Sequence, residues 1–256
     1  MANELNQKIL EEVYKRLGQL PIMSWEYPRV AVFVLRERSI SYADEVLPNL
    51  INIFAQGVTP IEMDYTRTDL ARNKVSMHFL KTDFTHLLML DIDHTHPMDI
   101  VQRLSRWFLY DKLSGGQLVE DGPAWVIGGL NFRRSYPHDP CAFVLDENGR
   151  VCAPKEWGDG LMRVNLLGTG SMMIAREALE AVPPPWFWND YSQAWGDVYP
   201  GEDLGFCRKL IEHKIPVFAD TTVTSPHITT RSIDENDYRA AIEKGAFSFQ
   251  RLPDVE

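Results

Sequence analysis

The chain has 256 residues, 45% of them apolar and 24% charged, enough to bury one substantial core and too apolar for a disordered chain. A formal net charge of -10 excludes a broad basic footprint for nucleic acid or an anionic membrane and leaves only a local pocket for phosphate. No run is apolar for long enough to cross a bilayer, and MANELNQKILEEVYKR lacks the apolar centre of a secretory signal, so a cytoplasmic location is expected.

Leu5, Ile9, Leu10, Val13 and Leu17 fall at helical spacing and end at Gly18, which predicts an amphipathic helix within an N-terminal extension, residues 1–27. RVAVFVL, residues 29–35, is a short β-branched run of the kind buried on both faces of a parallel sheet. Ser41 and Asp44 form a helix-start signal, and Val46, Leu47, Leu50, Ile53 and Phe54 carry the helix to Gly57. Thr59 to Met63 is a second strand, and Thr66 and Asp69 open a helix through Arg72, Asn73 and Met77 to Lys81. HLLML, residues 86–90, is the third strand. This alternation predicts a parallel sheet with right-handed crossovers, whose ligands gather at the carboxyl ends of the strands, where Asp91 and Asp93 stand.

A helix from Pro97 to Tyr110 follows, then Gly115-Gly116, a WVIGG strand and a hairpin signal at Asn148-Gly149. That turn brings Cys152 near Leu145 and not opposite Cys141, so Cys141, Cys152 and Cys207 read as reduced thiols; none belongs to a CxxC pair. Ser171 to Ala175 is a strand, Glu202 to His213 a helix and Pro216 to Ala219 a further strand.

In LLMLDIDHTHP, two carboxylates one residue apart follow a buried strand and can share a divalent cation and a ribose, since hard cations favour oxygen ligands. The same letters, with Thr95, match the D-x-D-x-T of a haloacid-dehalogenase-type phosphatase with Asp91 as nucleophile. That chemistry needs a later lysine and a later acidic pair, each at a strand end. The downstream pair Glu202-Asp203 instead opens a helix, whose N-terminus favours negative charge. Gly168-Thr169-Gly170 leads into a strand, so it is not a phosphate loop of the helix-opening kind; small residues there let backbone approach a ligand. In PPPWFWNDYSQAW, Trp186 and Trp188 share a face if the backbone is extended, and flat aromatic faces suit sugar rings as well as a core.

Taken in order, the RVAVFVL strand, the LARN segment, LLMLDIDHTHP, GTGSMMIAREAL, the PWF loop, GEDLGFCRKL and PVFADTTVTSPHI resemble the GT-A glycosyltransferases, especially family-2-like enzymes, over residues 29 to 228. The resemblance implies an α/β fold, a mixed and mainly parallel sheet flanked by helices, as one domain over residues 28–230 with a helical tail, 231–256, packed on it. It implies a metal-dependent transfer of sugar from a nucleoside-diphosphate sugar, with Mn²⁺ or Mg²⁺, to a hydroxyl on a glycan, lipid-linked sugar, protein or modified base. Asp93 would bind the metal, with Asp91 at the metal shell or ribose and His227 as a further ligand or diphosphate contact. Asp64 and Arg72 would contact the nucleotide, Gly168 and Gly170 the donor sugar, and Trp186 and Trp188 the acceptor. Asp203 would be the base of an inverting reaction, with Glu202 as its alternate.

Overall fold

The computed structural model describes residues 27–35, 49–50, 53, 59–61, 67–116, 125–189, 201–229, 233–246 and 250–251. The expected helix at 2–19, the helix start at Ser41 and Asp44, and Asp64 lie outside these residues.

Strand β1 (Val30–Leu35) pairs in parallel with β2 (Thr59–Ile61) on one side and β3 (His86–Asp91) on the other. Next to β3 lies β9 (Ser171–Ala175), antiparallel to it, followed by β4 (Val126–Leu130), β10 (Val217–Thr224) and β7 (Leu161–Val164). Five of these seven strands run one way, with β9 and β7 opposed. This is the mixed, mainly parallel sheet implied by the GT-A resemblance.

The period-two alternation of a strand sends neighbouring side chains to opposite faces, and here both faces are apolar. Ala31, Phe33, Leu87, Met89 and Ile174 join one core with helix α1 (Thr68–Phe79), through Ala71, Val75 and Phe79. Val30, Val32, Leu88, Leu90 and Met173 join the other with α2 (Ile100–Ser114), through Ile100, Leu104, Trp107 and Phe108; Leu50 and Ile53, both helical, add to it. The sheet is therefore sandwiched between helices, and the strand run reads as continuously hydrophobic for that reason.

A second sheet, in the order β11-β6-β5-β8, covers part of one edge. It contains β5 (Ala142–Leu145), β6 (Val151–Ala153), β8 (Leu166–Leu167) and β11 (Gln250–Arg251). The Asn148-Gly149 turn does join β5 to β6, with Cys152 opposite Val144, one residue from the expected Leu145. Helix α3 (Arg176–Ala181) follows β9, α4 (Glu202–Glu212) precedes β10, and α5 (Glu235–Glu243) buries Tyr238, whose hydroxyl donates to Pro154 O at 3.0 Å.

Candidate active site

The carboxyl ends of β3, β4 and β10 meet the start of β9 and the first turns of α1 and α4. Two backbone hydrogen bonds draw the loop after β3 onto the loop after β10: Thr95 N–H to Pro226 O at 3.0 Å and Ile228 N–H to Asp93 O at 2.8 Å. A third, Asp91 N–H to Gly170 O at 3.1 Å, ties the same loop to the start of β9. His96 locks it from below, donating Nε2–H to Asp91 O at 3.0 Å and accepting from Ser225 Oγ at 3.0 Å.

These bonds bring Asp93 and His227 together. His227 Nδ1 lies 2.7 Å from Phe132 O, and because a carbonyl only accepts, that nitrogen carries the proton. Its Nε2 lone pair then faces Asp93 Oδ2 at 3.3 Å. Burial pushes the His227 pKa down, so the ring is neutral at ordinary pH. Two acceptors side by side make an electron-rich corner that a cation stabilises, and an imidazole oriented through its other nitrogen is the usual state of a metal ligand. His94 stacks on His227 with centroids 3.9 Å apart and donates Nδ1–H to Asp93 Oδ1 at 2.9 Å. Candidate ligand atoms of Asp93, His94 and His227 all lie within 4.8 Å of one another, so the donor set fits a divalent ion. The His94 pKa falls to about 3 through burial and the neighbouring His227.

Asp91 stands outside that group. Its Oδ1 accepts from Arg72 Nη2 at 2.8 Å, and Arg72 Nη1 bonds Glu202. Burial opposes ionisation of Asp91, but the Arg72 charge outweighs it and holds the carboxyl below its usual range. Arg72 is only 2% exposed, and despite the cost of burial its pKa is raised by Asp91, Glu202 and Asp203. Among the described residues its Nε has no hydrogen-bond partner. Asp203 differs: burial first, then the adjacent Glu202 charge, pushes its pKa up to about 6 against the pull of Arg72.

Gly168 and Gly170 form the floor between these groups. A Cβ on Gly170 would lie 2.6 Å from Asn131 Nδ2 and 3.0 Å from His94 Nε2, and one on Gly168 would lie 2.8 Å from Cys141 Cβ and 3.7 Å from Asp203 Oδ2. Backbone there is in direct contact with the site. Asn73, from the LARN segment, accepts from Trp186 N–H at 2.7 Å and donates to Phe187 O at 2.6 Å, fixing the PWF loop beside α4. Trp186 is 4% exposed and spends its Nε1–H on Leu179 O, so it anchors the core and offers no ring face to a ligand. Trp188 is 37% exposed, with Lys209 Nζ 4.7 Å from its ring centroid and its edge against α4 at Gly205.

The structure thus brings together Arg72, Asp91, Asp93, Gly168, Gly170, Glu202, Asp203 and His227. It adds residues that sequence reasoning passed over: His94, His96, Asn131 and Arg134, the last through a bond from its Nη2 to Asp93 Oδ2. For the two histidines the signal was present in the letters, because DIDHTH is dense in ligand types directly after a buried strand.

The architecture, a mixed and mainly parallel sheet between helices, is the one the resemblance to GT-A enzymes implies. No family model and no curated protein matches the chain. Among solved structures, the crystal structure of A197 from STIV is similar over 78% of this chain and 86% of that one, at 20% identity and a TM-score of 0.55. A structure of GalNAc-T7 with UDP, GalNAc and Mn²⁺ matches over 86% of this chain and 43% of its own, at 12% identity and a TM-score of 0.47. A Drosophila β-1,4-galactosyltransferase 7 complex matches over 78% and 70%, at 14% and 0.38. At these identities the likeness is one of fold.

Proposed function

We propose that the protein transfers a sugar from a nucleoside-diphosphate sugar to an acceptor hydroxyl, assisted by Mn²⁺ or Mg²⁺, with inversion at the anomeric carbon. The observation that carries this reading is the convergence of a cation-fitting corner, Asp93 and His227, with an acid of raised pKa, Asp203, across a glycine floor. When bound, the cation would act as a Lewis acid on the departing diphosphate.

The residues divide the remaining work. Arg72 fixes Asp91 and Glu202 in one ion-pair network, which leaves Asp91 directed by its partner and Glu202 already engaged. Asp203 is then the acid available to take the proton of the acceptor hydroxyl as its oxygen attacks the anomeric carbon and the bond to diphosphate breaks. Gly168 and Gly170 give the donor sugar room against backbone, Asp64 serves the nucleotide with the buried Arg72 acting toward it through Asp91, and Trp188 supplies the aromatic face for the acceptor. The transferase unit spans residues 28–230, with 231–256 as a packed tail. Among the described residues no helix is long and apolar enough to cross a membrane.

The phosphatase alternative fits less well, because the cation set against Asp91 is an arginine shared with Glu202 and not a lysine. The deciding experiment is a thermal-shift screen of UDP, GDP and ADP with and without Mn²⁺, using wild type and Asp93→Ala. One nucleotide at a hundred times its Kd stabilises the folded state by about 2.7 kcal/mol, a rise in melting temperature of roughly 5–10 °C for a chain of this size. That rise is expected only with Mn²⁺ and only in wild type. A phospho-aspartate trapped from a phosphoester, with no nucleotide response, would overturn the assignment.

A further inference from the structure

Arg134 lies on the loop between β4 and β5, which closes on itself where Cys141 N–H donates to Asn131 O at 2.7 Å and Arg133 N–H donates to Asp139 O at 3.0 Å. His138 N–H to Ser135 O, at 2.9 Å, holds the turn. The backbone is thus fixed by local bonds, while the Arg134 side chain is 45% exposed.

Its Nη2 donates to Asp93 Oδ2, the oxygen that also faces the His227 Nε2 lone pair at 3.3 Å. The other oxygen of Asp93 accepts from His94. A guanidinium has donors only, so it supplies at this corner the positive charge that an acceptor pair requires. A divalent ion bonded to Asp93 and His227 needs the same oxygen and repels the guanidinium at short range. The side chain must then leave, and the anion that a cation recruits here, a diphosphate, suits the planar five-donor fork of an arginine.

We propose that Arg134 competes with the divalent cation for Asp93 and, once displaced, donates to the diphosphate held by that cation. This rests on the donor-site reading of Asp93 and His227. It gives one residue two opposite effects, against the metal and in favour of the nucleotide.

The test is a pair of titrations on the full chain, wild type, Arg134→Ala and Arg134→Lys: Mn²⁺ alone, then UDP and GDP in saturating Mn²⁺. In Arg134→Ala, Mn²⁺ binding should tighten by about two- to fivefold, the scale of a partly exposed ion pair. Binding of the preferred nucleotide should weaken by about tenfold, the scale of a charge-assisted hydrogen bond. The lysine variant should show smaller changes of the same signs. The gain in Mn²⁺ affinity should shrink at high salt, because salt screens the partly exposed pair between Arg134 and Asp93 that opposes the metal. Unchanged or weaker Mn²⁺ binding, or unchanged nucleotide binding, in a variant whose wild type binds both would overturn the role of Arg134 alone. A wild type that binds no Mn²⁺, or Mn²⁺ without either nucleotide, would overturn the donor-site reading and the proposal with it.

Discussion

Glu202 and Asp203 are neighbours in the chain but differ in environment: one carboxyl is bonded to Arg72 and the other is half-buried beside Gly168. As the proposed base, Asp203 works only when ionised, so the rate should fall as pH drops through about 6, where an ordinary aspartate would hold to near 4. The sign for stability is the reverse. A folded pKa raised above the unfolded value makes the contribution of this group full below the unfolded pKa and lost as pH rises through about 6. Asp203→Asn should lower kcat by about 10²- to 10⁴-fold, the range for general base catalysis, with nucleotide affinity retained; steady-state kinetics and a pH profile check both. At this scale the sequence exposed Asp91 and Asp93, because a buried strand must release its next residues at the sheet edge. It did not expose Arg134 or Asn131. Their place depends on a loop closed by bonds that no local pattern encodes. For Trp186 the letters allowed a core role as well as a sugar-facing one, and its bond to Leu179 O on α3 decides for the core.

Among the elements, the strands of the first half were readable within a residue or so, since β1 and β3 are continuous apolar runs and β-branched side chains fit a sheet buried on both faces. Strand β10 extends to Thr224, beyond the expected Ala219, because the polar run Asp220, Thr221 and Thr222 is satisfied internally by Arg106, Trp107 and Gly158. Strands β7 and β8 have no strong alternation and depend on pairing with β10 and β5. The turn before β9 has a narrow tolerance. Gly170→Ala places a methyl against Asn131 and His94, both packed in the core of the site. A loss of about 1–3 kcal/mol, typical of overpacking, is expected in urea unfolding, together with weaker Mn²⁺ binding as His94 is pushed aside.

For the molecule as a whole, the network on the far side of the sheet matters most. Asp220 is fully buried and accepts from Arg106 at 2.8 Å, Trp107 at 2.7 Å and Thr222 at 2.6 Å. Asp220→Ala removes a buried carboxylate from the Arg106 guanidinium and takes the acceptors away from Trp107 and Thr222, and should cost about 3–5 kcal/mol by equilibrium unfolding. The position of β9 has a different consequence. Ser171 to Ala175 is wedged between β3 and β4, both of which are synthesised earlier. Until that segment emerges from the ribosome, Leu87 to Leu90 have an unpaired edge that can template association with other chains. The nascent polypeptide therefore passes through an interval with that edge uncovered, and the interval ends with the arrival of two methionines, Met172 and Met173, at the centre of the sheet.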